Sequence, residues 1–291
     1  MRAIVPQSGL SAIIDRFDGL LIDQGCLVQD EANLHPGALN ALQQLQAQGT
    51  QILVLAHSSE DDATNIARLE RLGVAPELYG RLLSTGQLMR QALIAQSLTE
   101  AGGKRRYFVA GTPDELSRID QGRLTRVESL SEADAVMLLG LSPAETEDPT
   151  RVGWLAEAAR RGLPLYTPKA DVAAPAARGE LTPGFALALN QYWALGGDVF
   201  LYGKPSARIY ARCLNILDPI ESDRIGSIGD QFPADIFGAR EQGIEPILVG
   251  TGAGGLKGST PGEVEAWHAE LTRLCDSYSI FELTVLPGLV W

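Results

Sequence analysis

Short apolar runs alternate with amphipathic segments along the chain, and this pattern limits the possible folds more than any other feature. The runs that predict strands of one main sheet are residues 19–22, 52–55, 199–202, 225–228 and 246–249. Helical patterns lie between them, for example at 36–48 and 60–72. Strands that are apolar on both faces are typical of a parallel sheet covered by helices on both sides. The pattern therefore predicts an α/β fold with right-handed crossovers.

A second α/β unit is predicted inside the first. Apolar runs at 107–109, 135–139 and 163–166, with a helical pattern at 151–161, interrupt the main series. With 291 residues the chain is long enough for a large core and a smaller inserted unit. The predicted division is a core of residues 1–85 and 183–291 and an insertion of residues 86–182.

Charge and composition exclude several classes of partner. Asp and Glu number 36 against 24 Lys and Arg, a formal charge of −12, whereas nucleic acids and anionic membranes select basic surfaces. Three scattered cysteines predict neither a disulfide framework nor a zinc site. The N-terminal residues lack the apolar stretch of a signal peptide, and every apolar run is too short to span a bilayer. We expect a cytoplasmic protein.

Polar residues follow the predicted strands at the edge where open α/β sheets bind ligands. They are Asp23 after the first run, His57, Ser58 and Ser59 after the second, Lys204 after the run at 199–202, and Asp230 with Asp235 after the run at 225–228. Carboxylates that converge on one edge suit a hard divalent cation such as Mg²⁺. A lysine beside them would balance the charge of a bound phosphate. Asp23 and Asp230 should then have carboxylates within about 5 Å of each other.

These motifs resemble those of the haloacid dehalogenase-like (HAD) hydrolases, subfamily IIA. Asp23-Gln-Gly-Cys-Leu-Val followed by Pro36-Gly37-Ala38 is similar to the family's opening motif, and Gly203-Lys204-Pro205 to its third. Gly229-Asp230-Gln-Phe-Pro-Ala-Asp235 is similar to its fourth and is the most specific match. The resemblance covers nearly the whole chain. It implies a Rossmann-like doubly wound parallel sheet with an inserted α/β cap domain.

The resemblance also implies a reaction and its residues. Asp23 would form an aspartyl-phosphate that water then hydrolyses, and Lys204 would hold Asp23 and the phosphoryl group in register. Mg²⁺ would be bound by Asp23, the carbonyl of Gly25 and Asp230, with Asp235 binding directly or through water. The expected substrate is a small phosphorylated metabolite, and a homodimer is possible. The remaining expected contacts are Gln24, His57 and Ser58 to the phosphate and Asp171, in the cap loop, to the substrate.

Three departures from the family pattern leave other functions open. Gly25 stands where the phosphatases usually carry an acid for the leaving group, whose loss costs about 10²–10⁴-fold in rate. Ala56 replaces a phosphate-binding Thr or Ser, and Cys26 replaces a glycine. One alternative is a catalytically weakened relative that binds a phosphorylated ligand or a protein partner. Another is a hydrolase of carbon–halogen or carbon–phosphorus bonds, which needs no acid at that position.

Structural interpretations also remain for the candidate acids. Asp23 could simply cap the turn that follows its strand, and Asp235 could be an early-turn acid favoured by a helix dipole. Asp18 begins a displaced copy of the first motif, but Asp23 alone gives the family's spacing to Pro36. We therefore place Asp18 at the solvated entrance of the first strand.

Overall fold

The computed structural model of the protein divides into two compact units. Residues 3–99, 105–111, 124–141, 145, 152–170, 173–175, 181–183, 185–251 and 261–291 are described. The first unit comprises residues 1–56, 62–83 and 204–291, and the second comprises residues 57–61 and 84–203.

The first unit is built on a seven-stranded sheet. Its strands are β1 (Ala3–Pro6), β2 (Gly19–Asp23), β3 (Gln51–Ala56), β4 (Arg81–Ser84), β12 (Ile225–Gly229), β13 (Glu245–Val249) and β14 (Glu282–Leu286). Their order is β1-β14-β13-β12-β2-β3-β4. The pairs from β1 through to β3 are all parallel, as the apolar runs predict.

The order of strands reverses between β2 and β12. From β2 the chain proceeds outward to β3 and β4, whereas β12 begins the series that proceeds outward in the other direction. Such a switch point leaves a crevice at the carboxyl ends of the two strands, where open α/β sheets bind ligands. Asp23 ends β2 and Asp230 follows β12, so the fold brings both to this crevice.

Helices and apolar side chains cover both faces of this sheet. The helices of this unit are α1 (Gln24–Leu27), α2 (Ala38–Ala47), α3 (Asp62–Arg71), α7 (Ala207–Leu217), α8 (Gly238–Arg240) and α9 (Pro261–Ser277), with a π-helix at Phe232–Phe237. Short 3₁₀ helices lie at Leu10–Ala12, Ile14–Arg16, Pro76–Leu78 and Ser222–Arg224. Along β13, Ile247 and Val249 join one buried cluster while Leu248 joins the other. This alternation confirms the predicted doubly covered sheet.

The C-terminal segment is part of the core. The sequence predicts a helix near residues 261–274, and α9 is observed there. The sequence does not predict β14, which lies between β13 and β1. Leu271 and Cys275 of α9 pack with Leu283 of β14 in one buried cluster.

The second unit has its own five-stranded parallel sheet. Its strands are β5 (Arg106–Ala110), β6 (Thr125–Val127), β7 (Ala135–Leu138), β8 (Leu165–Thr167) and β11 (Val199–Leu201), in the order β11-β8-β7-β5-β6. A two-stranded antiparallel sheet joins β9 (Ala173–Pro175) and β10 (Leu181–Pro183). The helices are α4 (Thr85–Thr99), α5 (Trp154–Arg160) and α6 (Phe185–Ala194), with a 3₁₀ turn at Leu130–Glu132.

The division observed differs from the predicted insertion of 86–182. The apolar run at 199–202 was predicted as a strand of the main sheet, but β11 pairs with β8 in the second sheet. Residues 57–61, directly after β3, also belong to the second unit. An apolar run indicates a buried strand without indicating which sheet it joins, because that choice depends on packing distant in sequence. No helix among the described residues is both long and apolar enough to cross a membrane.

Candidate active site

Asp23 ends β2 and caps the helix that follows. Its Oδ2 accepts a hydrogen bond from the backbone N–H of Gly25 at 2.8 Å, which is the usual role of an N-cap aspartate. The capping interpretation is therefore correct, but it covers only one carboxylate oxygen. The other oxygen, Oδ1, is bound by Lys204.

Lys204 connects two buried carboxylates. Its Nζ lies 2.5 Å from Asp23 Oδ1 and also donates to Asp235 Oδ1. The ammonium group thus fixes Asp23 from a position 181 residues away in sequence. Charge-assisted bonds of this kind are among the strongest in proteins.

Asp235 lies on the π-helix that follows β12. Its Oδ2 accepts from the N–H of Gln231 at 3.1 Å, so both of its oxygens have protein partners. Tyr210 of α7 donates to the carbonyl of Ala234 at 2.8 Å and so holds this turn. A Cβ at Gly229 would lie 2.2 Å from the Asp235 side chain, so only glycine permits this close approach. π-Helical turns frequently occur at functional sites.

Asp23, Cys26 and Asp230 come together at the carboxyl ends of β2 and β12. One potential ligand atom from each lies within 4.8 Å of the other two. The expected proximity of the Asp23 and Asp230 carboxylates is confirmed. Sequence reasoning missed Cys26 in this group, although its replacement of a glycine close to Asp23 was the available signal.

The site concentrates negative charge away from water. Asp23, Asp230, Asp235 and Lys204 are between 2% and 8% exposed, with three carboxylates and one ammonium group. Burial raises the pKa of Asp235 to about 6, with Lys204 opposing the change and Asp23 and Asp230 adding to it. Burial lowers the pKa of Lys204, but Asp23 and Asp235 outweigh it and hold that pKa well above the ordinary range. Burial, followed by the charge of Asp23, raises the pKa of the Cys26 thiol.

The donor set fits a divalent cation. The carboxylates of Asp23 and Asp230 offer hard oxygen atoms, and the excess of negative charge over Lys204 favours a cation. The carbonyl of Gly25 accepts from His35 Nε2 at 3.1 Å and keeps a second lone pair. Sequence reasoning assigned no role to His35.

The other predicted contacts are not tested by the geometry of this cluster. His57 and Ser58 belong to the second unit, and Asp171 lies outside the described residues. Gln24, next to the cluster, is 8% exposed, and its side-chain Nε2 is buried without a hydrogen-bond partner. The phosphate-binding roles of Gln24, His57 and Ser58 stay predictions.

Asp18 occupies the opposite end of β2, as expected. Both of its carboxylate oxygens accept from the exposed guanidinium of Arg224 at 2.9 Å. The ion pair lowers the pKa of Asp18. Asp18 is therefore a solvated residue at the entrance of the strand.

Comparisons with known proteins identify the fold. Residues 201–279 match the family model described as HAD-hydrolase-like. The chain is similar to a haloacid dehalogenase-like family hydrolase from Brucella suis, at 23% identity and TM-score 0.76, over 98% of this chain and 100% of that one. A p-nitrophenyl phosphatase from Archaeoglobus fulgidus matches at 20% identity and TM-score 0.70, over 94% of this chain and 97% of that one.

A third similar structure was solved with a metal. It is a glycerol phosphate phosphatase from Mycobacterium tuberculosis in complex with magnesium, at 24% identity and TM-score 0.62. The match covers 82% of this chain and 70% of that one. A search of curated protein sequences gave no match.

Proposed function

We propose that this chain, which has the fold of the HAD-like hydrolases and matches their family model over residues 201–279, is a divalent-metal-dependent phosphomonoesterase. The observation that carries the proposal is a buried group of charged side chains. In it Lys204 Nζ lies 2.5 Å from Asp23 Oδ1, and a carboxylate oxygen of Asp230 lies within 4.8 Å of one of Asp23. The proposed nucleophile Asp23 thus lies at a switch point of the sheet. The ammonium group of Lys204 would orient it, and Asp230 would supply a second carboxylate.

Asp23 is the proposed nucleophile. A carboxylate oxygen of Asp23 forms a bond to the phosphorus of the ester while the bond from phosphorus to the leaving oxygen breaks. Water then attacks the aspartyl-phosphate, so that inorganic phosphate leaves and the carboxylate is restored. Rotation of the Asp23 side chain would release Oδ2 from the Gly25 N–H for this attack.

Lys204 and the buried acids provide the electrostatics. Lys204 holds Asp23 in position and offsets charge on the phosphoryl oxygens, which is most of what phosphoryl transfer requires of a protein. Asp23, Asp230 and the Gly25 carbonyl would hold Mg²⁺, with Asp235 steering Lys204 and a water. When bound, the cation supplies further stabilisation of the same oxygens.

The substrate class proposed is a small phosphorylated metabolite. The similar structures include a p-nitrophenyl phosphatase and a glycerol phosphate phosphatase, which supports a phosphate monoester in general. Gly25 offers no side chain to protonate the leaving oxygen, and solvent is the proposed source of that proton. Esters with good leaving groups should therefore be turned over best.

The test is phosphate release from p-nitrophenyl phosphate, with and without Mg²⁺, for wild type, Asp23→Asn and Asp18→Asn. We expect metal-dependent release that disappears in Asp23→Asn, because an amide cannot form the acyl phosphate. Asp18→Asn is the matched control, since it changes the same residue type at the other end of the same strand and should retain activity. Release that persists in Asp23→Asn would refute Asp23 as nucleophile.

Absence of release in wild type would favour a different function. Tight binding of phosphate esters without turnover would support a weakened relative that binds a phosphorylated ligand or a protein partner, for which Gly25 and Ala56 are the motivating observations. Release of halide or cleavage of a phosphonate would instead support the carbon–halogen or carbon–phosphorus branch. The outcomes are distinguished by binding without any product, by release of halide and by appearance of the phosphonate cleavage product.

A further inference from the structure

Cys26 lies in the same group as the two carboxylates expected to bind the metal. Its Sγ is within 4.8 Å of an oxygen of Asp23 and of Asp230, and the residue is fully buried. Within the described residues, this is the group of three Asp, Glu, His or Cys residues that is close enough to share one ion. Cys213 and Cys275, which are also buried and form no disulfide in the described part of the chain, are not part of it.

The Cys26 thiol is packed in the apolar core of the first unit, and its hydrogen bond to the protein is weak. Its Sγ lies 3.9 Å from the carbonyl oxygen of Ile228, and a thiol is a poor hydrogen-bond donor. Little hydrogen bonding would therefore be lost if the sulfur turned toward a cation. The short helix α1 carries Cys26 one turn after Asp23, so both residues move with the same backbone segment.

A sulfur donor changes which metals a site prefers. Mg²⁺ takes oxygen ligands, whereas thiolates favour softer ions such as Zn²⁺ and Cd²⁺ and also bind Co²⁺. Two carboxylates and one thiolate form a mixed set that accommodates tetrahedral zinc with a place left for a water or a substrate oxygen.

We propose that Cys26 is a third side-chain ligand of this site and gives it affinity for a thiophilic divalent cation such as Zn²⁺. On binding, the thiol loses its proton to solvent and the sulfur forms a bond to the ion. This inference rests on the metal site of the proposed function, but it concerns the identity of the ion rather than the reaction.

The experiment is a titration of the chelator-treated, full-length protein with Co²⁺ and with Cd²⁺, followed by ultraviolet absorption. A sulfur-to-metal charge-transfer band reports a thiolate ligand directly and does not depend on activity. Wild type is compared with Cys26→Ser, which keeps the size of the side chain, and with Cys275→Ser, a buried cysteine outside the group. Calorimetry gives the affinities for Cd²⁺ and Mg²⁺.

We expect the band in wild type and in Cys275→Ser and its loss in Cys26→Ser. The Cd²⁺ affinity of Cys26→Ser should fall by at least about 10–100-fold, the range caused by loss of a supporting contact alone. The Mg²⁺ affinity should change far less, because oxygen ligands remain. If Cys26→Ser does not fold, X-ray absorption at the zinc edge of wild type decides the matter by the presence or absence of a sulfur ligand.

Metal binding without a charge-transfer band, or a band that survives in Cys26→Ser, would overturn the inference. Mg²⁺-dependent phosphate release without any band would leave the proposed function standing and remove only the role of Cys26. A band with no phosphate release under any metal would support Cys26 as a ligand and refute the proposed phosphomonoesterase activity.

Discussion

The ends of two strands in the first unit, β12 and β3, lead into very different polar surroundings. After β12, the carboxylates of Asp230 and Asp235 are buried in the charged group that includes Lys204 and Asp23. After β3, the polar groups of residues 57–61 serve the second unit. The Ser58 carbonyl accepts from Thr85 Oγ1 and from the N–H of Gly86, and the Ser59 hydroxyl donates to the carbonyl of Leu139.

The contrast follows the sequence closely. The segment after β12 lies within the residues that match the HAD-hydrolase-like family model, and Asp235 of this segment contacts the ammonium group of Lys204. At the end of β3, Ala56 stands where the family resemblance implies a phosphate-binding hydroxyl, and the hydroxyls of Ser58 and Ser59 bond to backbone groups. The segment after β12 thus contributes charged side chains to the candidate site, whereas Ser58 and Ser59 after β3 also bond to backbone groups.

Replacement of Lys204 should have the largest effect on the buried charged group that follows β12. Lys204→Met leaves Asp23 and Asp235 buried without their ammonium partner, which should lower the free energy of unfolding by about 3–5 kcal/mol. Phosphate release should also be lost. Chemical denaturation measures the first effect and the p-nitrophenyl phosphate assay the second.

The matched control is Arg273→Met, which removes an exposed cation paired with Glu270 on α9. This variant should unfold close to wild type, because exposed ion pairs contribute little. Equal midpoints for Lys204→Met and wild type would show that the buried carboxylates do not depend on Lys204.

An acid introduced at position 25 should raise the rate of phosphate ester hydrolysis. Gly25→Asp supplies a proton donor, and such a group typically contributes about 10²–10⁴-fold in rate. Turnover of alkyl phosphates should therefore rise by up to this factor, and turnover of aryl phosphates should rise much less. A Cβ at this position would lie 2.7 Å from Asp23 Oδ2, so the Asp23 carboxylate must turn to admit it. Kinetics with one alkyl and one aryl ester measure the ratio.

Gly25→Asn is the control, since it has the same bulk without the acid. If Asn raises alkyl turnover as much as Asp does, the effect comes from displacement of Asp23 rather than from proton donation.

Asp235, after β12, should make the free energy of unfolding of the protein depend on pH. Its folded pKa of about 6 lies above the ordinary 3.8, so folding favours the protonated form. Its contribution to stability is fully present below the unfolded pKa and is lost as the pH rises through about 6. Urea denaturation of metal-free protein across this interval should show a steeper decline in wild type than in Asp235→Asn.

Parallel pH profiles for the two proteins would contradict the raised pKa of Asp235. Asp18→Asn serves as reference, because an exposed ion pair lowers the pKa of Asp18 and its contribution is lost at acidic pH instead.

The smallest effects are expected at the β3 end. The Ser58 hydroxyl oxygen accepts from the N–H of Glu60 at 3.1 Å, which leaves its hydrogen available to a phosphate. Ser58→Ala should lower the free energy of unfolding by about 1 kcal/mol or less and raise KM with little change in kcat. Ser59→Ala is the matched control, because its hydroxyl donates to Leu139 and KM should stay unchanged.

A loss of stability in Ser58→Ala with an unchanged KM would refute its predicted phosphate contact. The β3 end would then have a purely structural role.

The sequence by itself determined the α/β class and the core of the candidate site. Apolar runs mark buried strands, and the carboxyl ends of parallel strands meet at one edge, so the order of residues alone places Asp23 and Asp230 together. Lys204 and Asp235, the remaining charged partners, were predicted from the resemblance of their segments to the third and fourth family motifs. The choice of Asp23 over Asp18 followed from the family's spacing to Pro36 and from the apolar strand that precedes Asp23.

Only the tertiary structure decided how the parts are distributed. It assigned β11 to the second sheet, inserted β14 between β13 and β1, and brought Cys26 beside the carboxylates. It also placed Tyr210 against the turn that carries Asp235. These outcomes depend on which distant surfaces pack together, whereas a local pattern records only whether a segment is buried and how its side chains repeat.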